Sequence, residues 1–93
     1  MDKLERLMTL TATLLTANRP LTSDELRRRI GGYPENRNSF RRAFERDKDD
    51  LREMGIPLEV EEIFASDPPA LGYRIRRDDY YLRDPGFARD ETN

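Results

Sequence analysis

The stretch from Phe40 to Glu59, FRRAFERDKDDLREMGIPLE, constrains the fold more than any other part of this 93-residue chain. At about 100° per residue, Phe40, Phe44, Leu51 and Met54 share one side of a helix, with Ala43 at its edge. Arg41, Arg42, Glu45, Arg46 and Arg52 fall on the other sides. Gly55 stops the helix. Beyond it, Ile56, Leu58, Val60 and Phe64 alternate with Glu59, Glu61 and Ile63, which predicts a half-buried strand. A helix that packs by one seam and presents arginines elsewhere has the shape that enters a DNA major groove. An ordinary amphipathic helix with a solvated charged face has the same pattern. Asp47 is the odd residue, falling on the seam between Phe44 and Leu51. A buried carboxylate must be paired or neutralised, so Asp47 is expected to be a structural anion held by an arginine or by backbone N–H groups.

The remaining chain supplies partners for this helix. Leu4, Leu7, Met8, Leu14 and Leu15 form one stripe, with Thr11 between them, predicting a first helix over about Asp2–Ala17 that ends at Asn18-Arg19-Pro20. Thr22-Ser23-Asp24-Glu25 is a capping box, and Leu21 and Leu26 have the spacing of a hydrophobic staple. The second helix is short, reaching about Ile30, where Gly31-Gly32 closes it. Tyr33 to Arg37 is a loop, and Asn36, Asn38 or Ser39 caps the third helix. Ser66-Asp67-Pro68-Pro69-Ala70 reads as a turn, and Tyr73 and Ile75, alternating with Gly72, Arg74 and Arg76, as a returning strand. Glu59 and Glu61 are placed to pair across this hairpin with Arg74 and Arg76. Asp78–Leu82 is expected to dock on the body through its tyrosines. The expected architecture is α+β, a winged helix-turn-helix: three helices followed by a hairpin wing, with one domain over residues 1–82 and a frayed tail over 83–93. The Gly31–Asn38 connector is longer than the three or four residues usual in this motif.

Composition narrows the function. Hydrophobic residues make up 35% and charged residues 39%, so the core must be thin for a domain this small. With no Cys and no His, zinc fingers, disulfide frameworks and thiol or imidazole catalysis are excluded. No apolar run approaches the roughly 20 residues of a membrane span, and no signal-peptide pattern is present, which points to the cytoplasm and, for a DNA-binding domain, the nucleoid. The net charge of −2 counts against a simple nucleic-acid assignment. The charge is unevenly placed, however: Arg27 to Arg46 holds seven arginines and two glutamates, a local balance of +5. A local patch steers DNA even on a mildly acidic molecule.

The chain resembles the N-terminal winged helix of actinobacterial regulators with a WYL domain, the proteasome accessory factor B/C type. The residues carrying the resemblance are Phe44-Glu45-Arg46-Asp47-Lys48, Leu51-Arg52 and Gly55-Ile56-Pro57-Leu58-Glu59. Glu5-Arg6-Leu7, Leu21-Thr22 and Gly72-Tyr73-Arg74-Ile75 agree with it, so the likeness runs from about Lys3 to Leu82. It implies a DNA-binding transcriptional regulator, partnered as a homodimer or as a heterodimer with a related regulator. In such proteins an effector-sensing WYL domain follows, and this chain ends where that domain would begin.

In that context Arg41, Arg42, Glu45 and Arg46 are candidates to meet bases and phosphates of double-stranded DNA, since arginine's fork suits guanine and phosphate alike. Arg37, Asn38 and Ser39, placed just before the third helix, are candidates for phosphate contacts at a helix N-terminus, with capping as the alternative. Arg28, with its neighbours Arg27 and Arg29, lies on the helix that normally crosses the DNA backbone. Arg74, Arg76 and Arg77 are wing candidates, for which pairing with glutamates is an equal expectation. No catalytic set, cofactor, metal or membrane partner is expected, because no metal-ligand cluster, nucleophile–base pair or phosphate-cradling loop accompanies these residues. The second reading, from a different class, is a winged helix used for protein contact, as partner or antagonist of a full-length regulator.

Overall fold

A computed structural model describes residues 1–63 and 69–82. The element order is α1 (Lys3–Thr16), β1 (Leu21–Thr22), α2 (Ser23–Ile30), α3 (Arg37–Glu53), β2 (Leu58–Ile63), β3 (Ala70–Ile75) and α4 (Arg77–Leu82). The strands form one antiparallel sheet in the order β1-β3-β2. Three helices against a hairpin whose second strand is joined by a short strand from between α1 and α2 make a winged helix. No helix among the described residues is long and apolar enough to cross a membrane. Phe64, most of the expected 66–70 turn and the tail from Arg83 lie outside the described residues.

Local chemistry sets the boundaries. Asp2 caps α1 and Thr22 caps α2, each in a reciprocal box with the glutamate three residues on. Leu21 and Leu26 are fully buried, completing the staple. Gly31 ends α2 at φ 75°. Gly55, at φ 85°, ends α3 with Gly55 N–H donating to the Arg52 carbonyl and Ile56 N–H to that of Leu51, the paired closure of a left-handed helix stop. β1 was not foreseen. Its two residues pair with Tyr73 and Gly72, and Gly72 is what permits the approach. A Cβ there would lie 2.7 Å from Pro20 Cβ and 2.8 Å from Ile63 Cδ1.

The core joins Leu7, Leu10 and Leu14 of α1 to Leu26 and Ile30 of α2, Phe40, Phe44 and Leu51 of α3, and Tyr73 and Ile75 of β3. Three expected seam members are instead on the surface: Leu4, Met8 and Met54 are each at least 60% exposed. The stripe on α1 is wider than the core beneath it. Leu10, turned inward with Leu7 and Leu14, is wholly buried. Met54 falls at the helix end, just before Gly55 redirects the chain. With Leu15, Ile56 and Tyr80 these three line a shallow apolar hollow of about 320 Å³. Tyr80 of α4 packs against the core edge, as expected for one of the two tyrosines.

Aromatic rings connect the elements. Phe40 and Phe44 stack at 5.5 Å, Tyr33 meets both edge-on at 5.1 and 6.0 Å, and Tyr73 meets Phe44 edge-on at 5.1 Å. Asp47 lies at the centre of the helical half, with no exposed surface. Arg6 of α1 grips it with both prongs, Nε to Oδ2 at 2.7 Å and Nη2 to Oδ1 at 3.0 Å. The Tyr33 hydroxyl donates to Oδ2 at 2.6 Å. Burial, reinforced by this bond to the carboxylate, pushes the Tyr33 phenol's pKa far up, so it remains a donor at any working pH.

Removing Asp47 would strand the Arg6 guanidinium and the Tyr33 hydroxyl. Asp47→Ala is expected to cost about 3–5 kcal/mol, a large share of the stability of so small a domain. Tyr33→Phe, which keeps the bidentate pair, should cost roughly 1–3 kcal/mol. Urea melts measure both. An Asp47→Ala protein that melts like the parent would sink the structural role given to this residue.

Candidate nucleic-acid interface

The arginine face is built by the way α3 begins. Asn36 is the cap: its Oδ1 accepts the Ser39 N–H at 3.0 Å. Arg37, Asn38 and Ser39 therefore do not precede the helix; they are its first turn. The cap falls before them because the Asn36 backbone is extended and its carbonyl already accepts from Phe40 N–H at 2.8 Å. The Ser39 backbone donor is thus taken. Arg37, Arg41, Arg42 and Arg46 are exposed, and none forms an ion pair or side-chain hydrogen bond among the described residues.

The nearby acids have other partners. Asp49 faces Arg52 at 3.7 Å, Asp50 meets Lys3 at 2.6 Å, and Glu45 meets Lys48 at 2.9 Å. Lys48, which the sequence reading did not single out, is buried in the seam beside Asp47, its ammonium 4.9 Å from the Phe44 ring and 4.7 Å from the Tyr73 ring.

A cleft of about 480 Å³ separates α3 from the start of α2 and from β3. Arg37, Arg41 and Glu45 border it on one side, Thr22, Ser23 and Asp24 on another, and Ala70, Leu71 and Tyr73 on the third. The α2 start is fixed by Glu25, whose carboxylate accepts from Arg19 at 3.1 and 2.6 Å and from Thr22 N–H at 3.1 Å. The Arg19 guanidinium first, then the Thr22 donor, hold this carboxyl down to about 2. Among the α2 arginines, Arg27 stands nearest α3, 5.8 Å from the Phe40 ring centroid and 3.7 Å from Asp24. Arg28 is exposed but does not border the cleft.

The wing arginines lie apart from this group. Arg76 meets Glu59 at 3.0 Å and Glu61 at 3.6 Å, and Arg74 meets Glu61 at 3.6 Å, so the expected cross-strand pairing is present. Both arginines border a different hollow, with the C-terminal end of α1 and the start of α4. Arg77 caps α1, donating through Nε to the Leu15 carbonyl at 3.0 Å. Alternation explains the separation: Tyr73 and Ile75 face the helices, which turns Arg74 and Arg76 to the opposite side of the sheet.

No family profile matches the chain. Protein PafB of Mycobacterium leprae (strain TN) is 43% identical over 93 residues, covering 98% of this chain and 28% of PafB. Protein PafB of Mycobacterium tuberculosis (strain ATCC 25618 / H37Rv) and of Mycobacterium bovis (strain ATCC BAA-935 / AF2122/97) are each 42% identical over the same span. The chain is a winged-helix relative of PafB. The resemblance to the proteasome accessory factor B/C type thus holds along nearly the whole chain. The chain spans little more than a quarter of the length of these PafB proteins.

The Glu25 bridge gives this domain a pH signature. A carboxyl depressed from 4.5 to about 2 adds stability that is complete above the ordinary value and is lost as pH falls toward the depressed one. The parent should therefore be more stable than Glu25→Gln at neutral pH, with the gap closing between about pH 4.5 and 2. Paired thermal melts across that range measure it. A gap that stays constant to pH 2 would contradict the assignment.

Proposed function

We propose that this domain binds double-stranded DNA in transcription control, with α3 entering the major groove and α2 and the wing lying along the backbone. The observation that carries the reading is the set of exposed arginines on α3, Arg37, Arg41, Arg42 and Arg46, which have no acidic partner among the described residues. The protein-contact alternative would gain if the wing glutamates or Asp49-Asp50 neutralised that face. Glu59, Glu61, Asp49 and Asp50 are engaged elsewhere, on Arg74, Arg76, Arg52 and Lys3, while Glu62, across from Leu71 at the cleft, is exposed. The similarity to PafB supports a regulator, and the domain's small size supports its working in pairs, as a homodimer or with a related regulator.

Affinity should be weak for one isolated module and should fall steeply with salt as phosphate contacts release counterions. Titrations of random and genomic promoter DNA at several salt concentrations test this. Binding that is indifferent to salt would refute phosphate-driven recognition, and no binding at low salt would favour the protein-contact reading. Within the DNA reading, Arg42→Ala should cost roughly 1–3 kcal/mol of specific binding if its fork meets a base. Arg28→Ala, on α2, should weaken all sequences alike. Equal losses on specific and random DNA for both variants would overturn this division of labour.

A further inference from the structure

Lys48 is an unusual residue to bury in a thin core. Its side chain is only 7% exposed, while that of its partner Glu45 is 58% exposed. The ammonium sits between the Phe44 and Tyr73 rings, at 4.9 and 4.7 Å from their centroids, and the Tyr73 hydroxyl is 3.4 Å away. Two ring faces attract a cation but do not balance its charge. The balancing anion is Glu45, whose Oε2 lies 2.9 Å from Nζ.

This pairing joins an immobile buried cation to a solvent-facing carboxylate on the arginine face of α3, at the edge of the cleft beside Arg41. It has two physical consequences. The carboxylate is held in one place by a group that the core has already ordered, so aiming it costs little side-chain entropy. The pair is also close to neutral, so a glutamate can stand among phosphates without the repulsion a free anion would meet. Lys48 holds Oε2, and Oε1 accepts no hydrogen bond among the described residues. In the major groove, the base edge that suits a carboxylate acceptor is the N4 amino group of cytosine.

We infer that Glu45 reads a cytosine in the major groove and that Lys48 is the positioning residue that aims its carboxylate. The inference rests on the DNA-binding reading above and adds to it a base, a reader and a support. Glutamine in place of glutamate presents both a donor and an acceptor, the combination that pairs with adenine N7 and N6. Exchange of Glu45 for Gln therefore changes which base is chosen, whereas loss of a merely repulsive charge changes only overall affinity.

The test is selection of a random double-stranded DNA library by the full chain, followed by sequencing, for the parent, Glu45→Gln and Lys48→Met. The parent should enrich C·G at one position of its site. Glu45→Gln should move the preference at that position alone to A·T. Lys48→Met keeps most of the stem between the rings. Its preference for cytosine at that position should drop on the order of tenfold, with the other positions unchanged. Thermal melts establish that Lys48→Met is folded, and Glu45→Gln, at an exposed position, tests the reader independently of that outcome. A profile unchanged in Glu45→Gln, with affinity raised for all sequences equally, would overturn the inference while leaving DNA binding intact. A folded Lys48→Met with the parent's profile would overturn the positioning role. Failure of the parent to enrich or retain any DNA would overturn the DNA-binding reading and this inference with it.

Discussion

The two-pronged grip of Arg6 on Asp47, completed by the Tyr33 hydroxyl, fixes where α3 lies relative to the rest of the domain. Hydrophobic burial has no direction, and a core of a dozen residues allows a helix to rotate or slide at modest cost. A bidentate pair allows one geometry. Its members come from α1, the connector and α3, so a single buried charge ties together the three parts that must agree if α3 is to be presented. Ion pairs of this kind rarely stabilise more than an apolar replacement would, because desolvation offsets the attraction. We read this one as a device that sets register. The 5.0 Å stacking of the Arg6 guanidinium over the Tyr33 ring leaves little freedom even for the partner.

With α3 held, the distribution of charge follows from which acids find partners. The chain carries 19 acidic and 17 basic residues, so its overall sign says little about the face of any one helix. At physiological ionic strength the screening length is about 8 Å, so a ligand at the surface responds to its immediate surroundings. Around the first three turns of α3 those surroundings are Arg37, Arg41, Arg42 and Arg46, without acidic partners among the described residues, and Glu45, which is paired with Lys48. The wing shows the opposite arrangement, a ladder of Glu59 and Glu61 with Arg74 and Arg76. Such a ladder makes the outer face of the hairpin nearly neutral and adds modestly to its stiffness.

Elements with short-range causes were legible in the sequence. The Thr22–Glu25 capping box, the glycine stops and the cross-strand glutamate–arginine pairs involve residues that lie close together or face one another by simple alternation, and the structure has them where the pattern puts them. The buried face expected for β2 is not there, since Val60 is 43% exposed. What depends on distant partners was not legible. β1 is two residues long, too short to show a period, and exists because Gly72 lets β3 approach. The α1 stripe gave Leu4 and Met8 the same weight as Leu7, because which edge of a wide stripe is covered depends on the helices across from it. Asn36 could not be told from Asn38 or Ser39 as the cap, since all three are good caps. Asp47 was legible as a buried anion, although its partner Arg6, 41 residues away, was not. Lys48 carried the same signal, a charge at a seam position between Phe44 and Leu51, and was not singled out.

The floor beneath the arginine face is also part of the core. Phe40, Phe44 and Tyr73 pack in the interior and also border the cleft beside α3. Binding and stability are therefore coupled unevenly across the site. A change at Phe44 alters its contacts with Tyr33, Phe40, Tyr73 and Lys48 together, and so moves the backbone that carries Arg41 and Glu45. A change at Arg41 or Arg42 touches nothing inside. The surface of α3 is thus free to vary in what it recognises without cost to the fold, provided the rings and the two buried charges beneath it stay as they are. In a domain with so little core, that separation lets one scaffold carry different specificities.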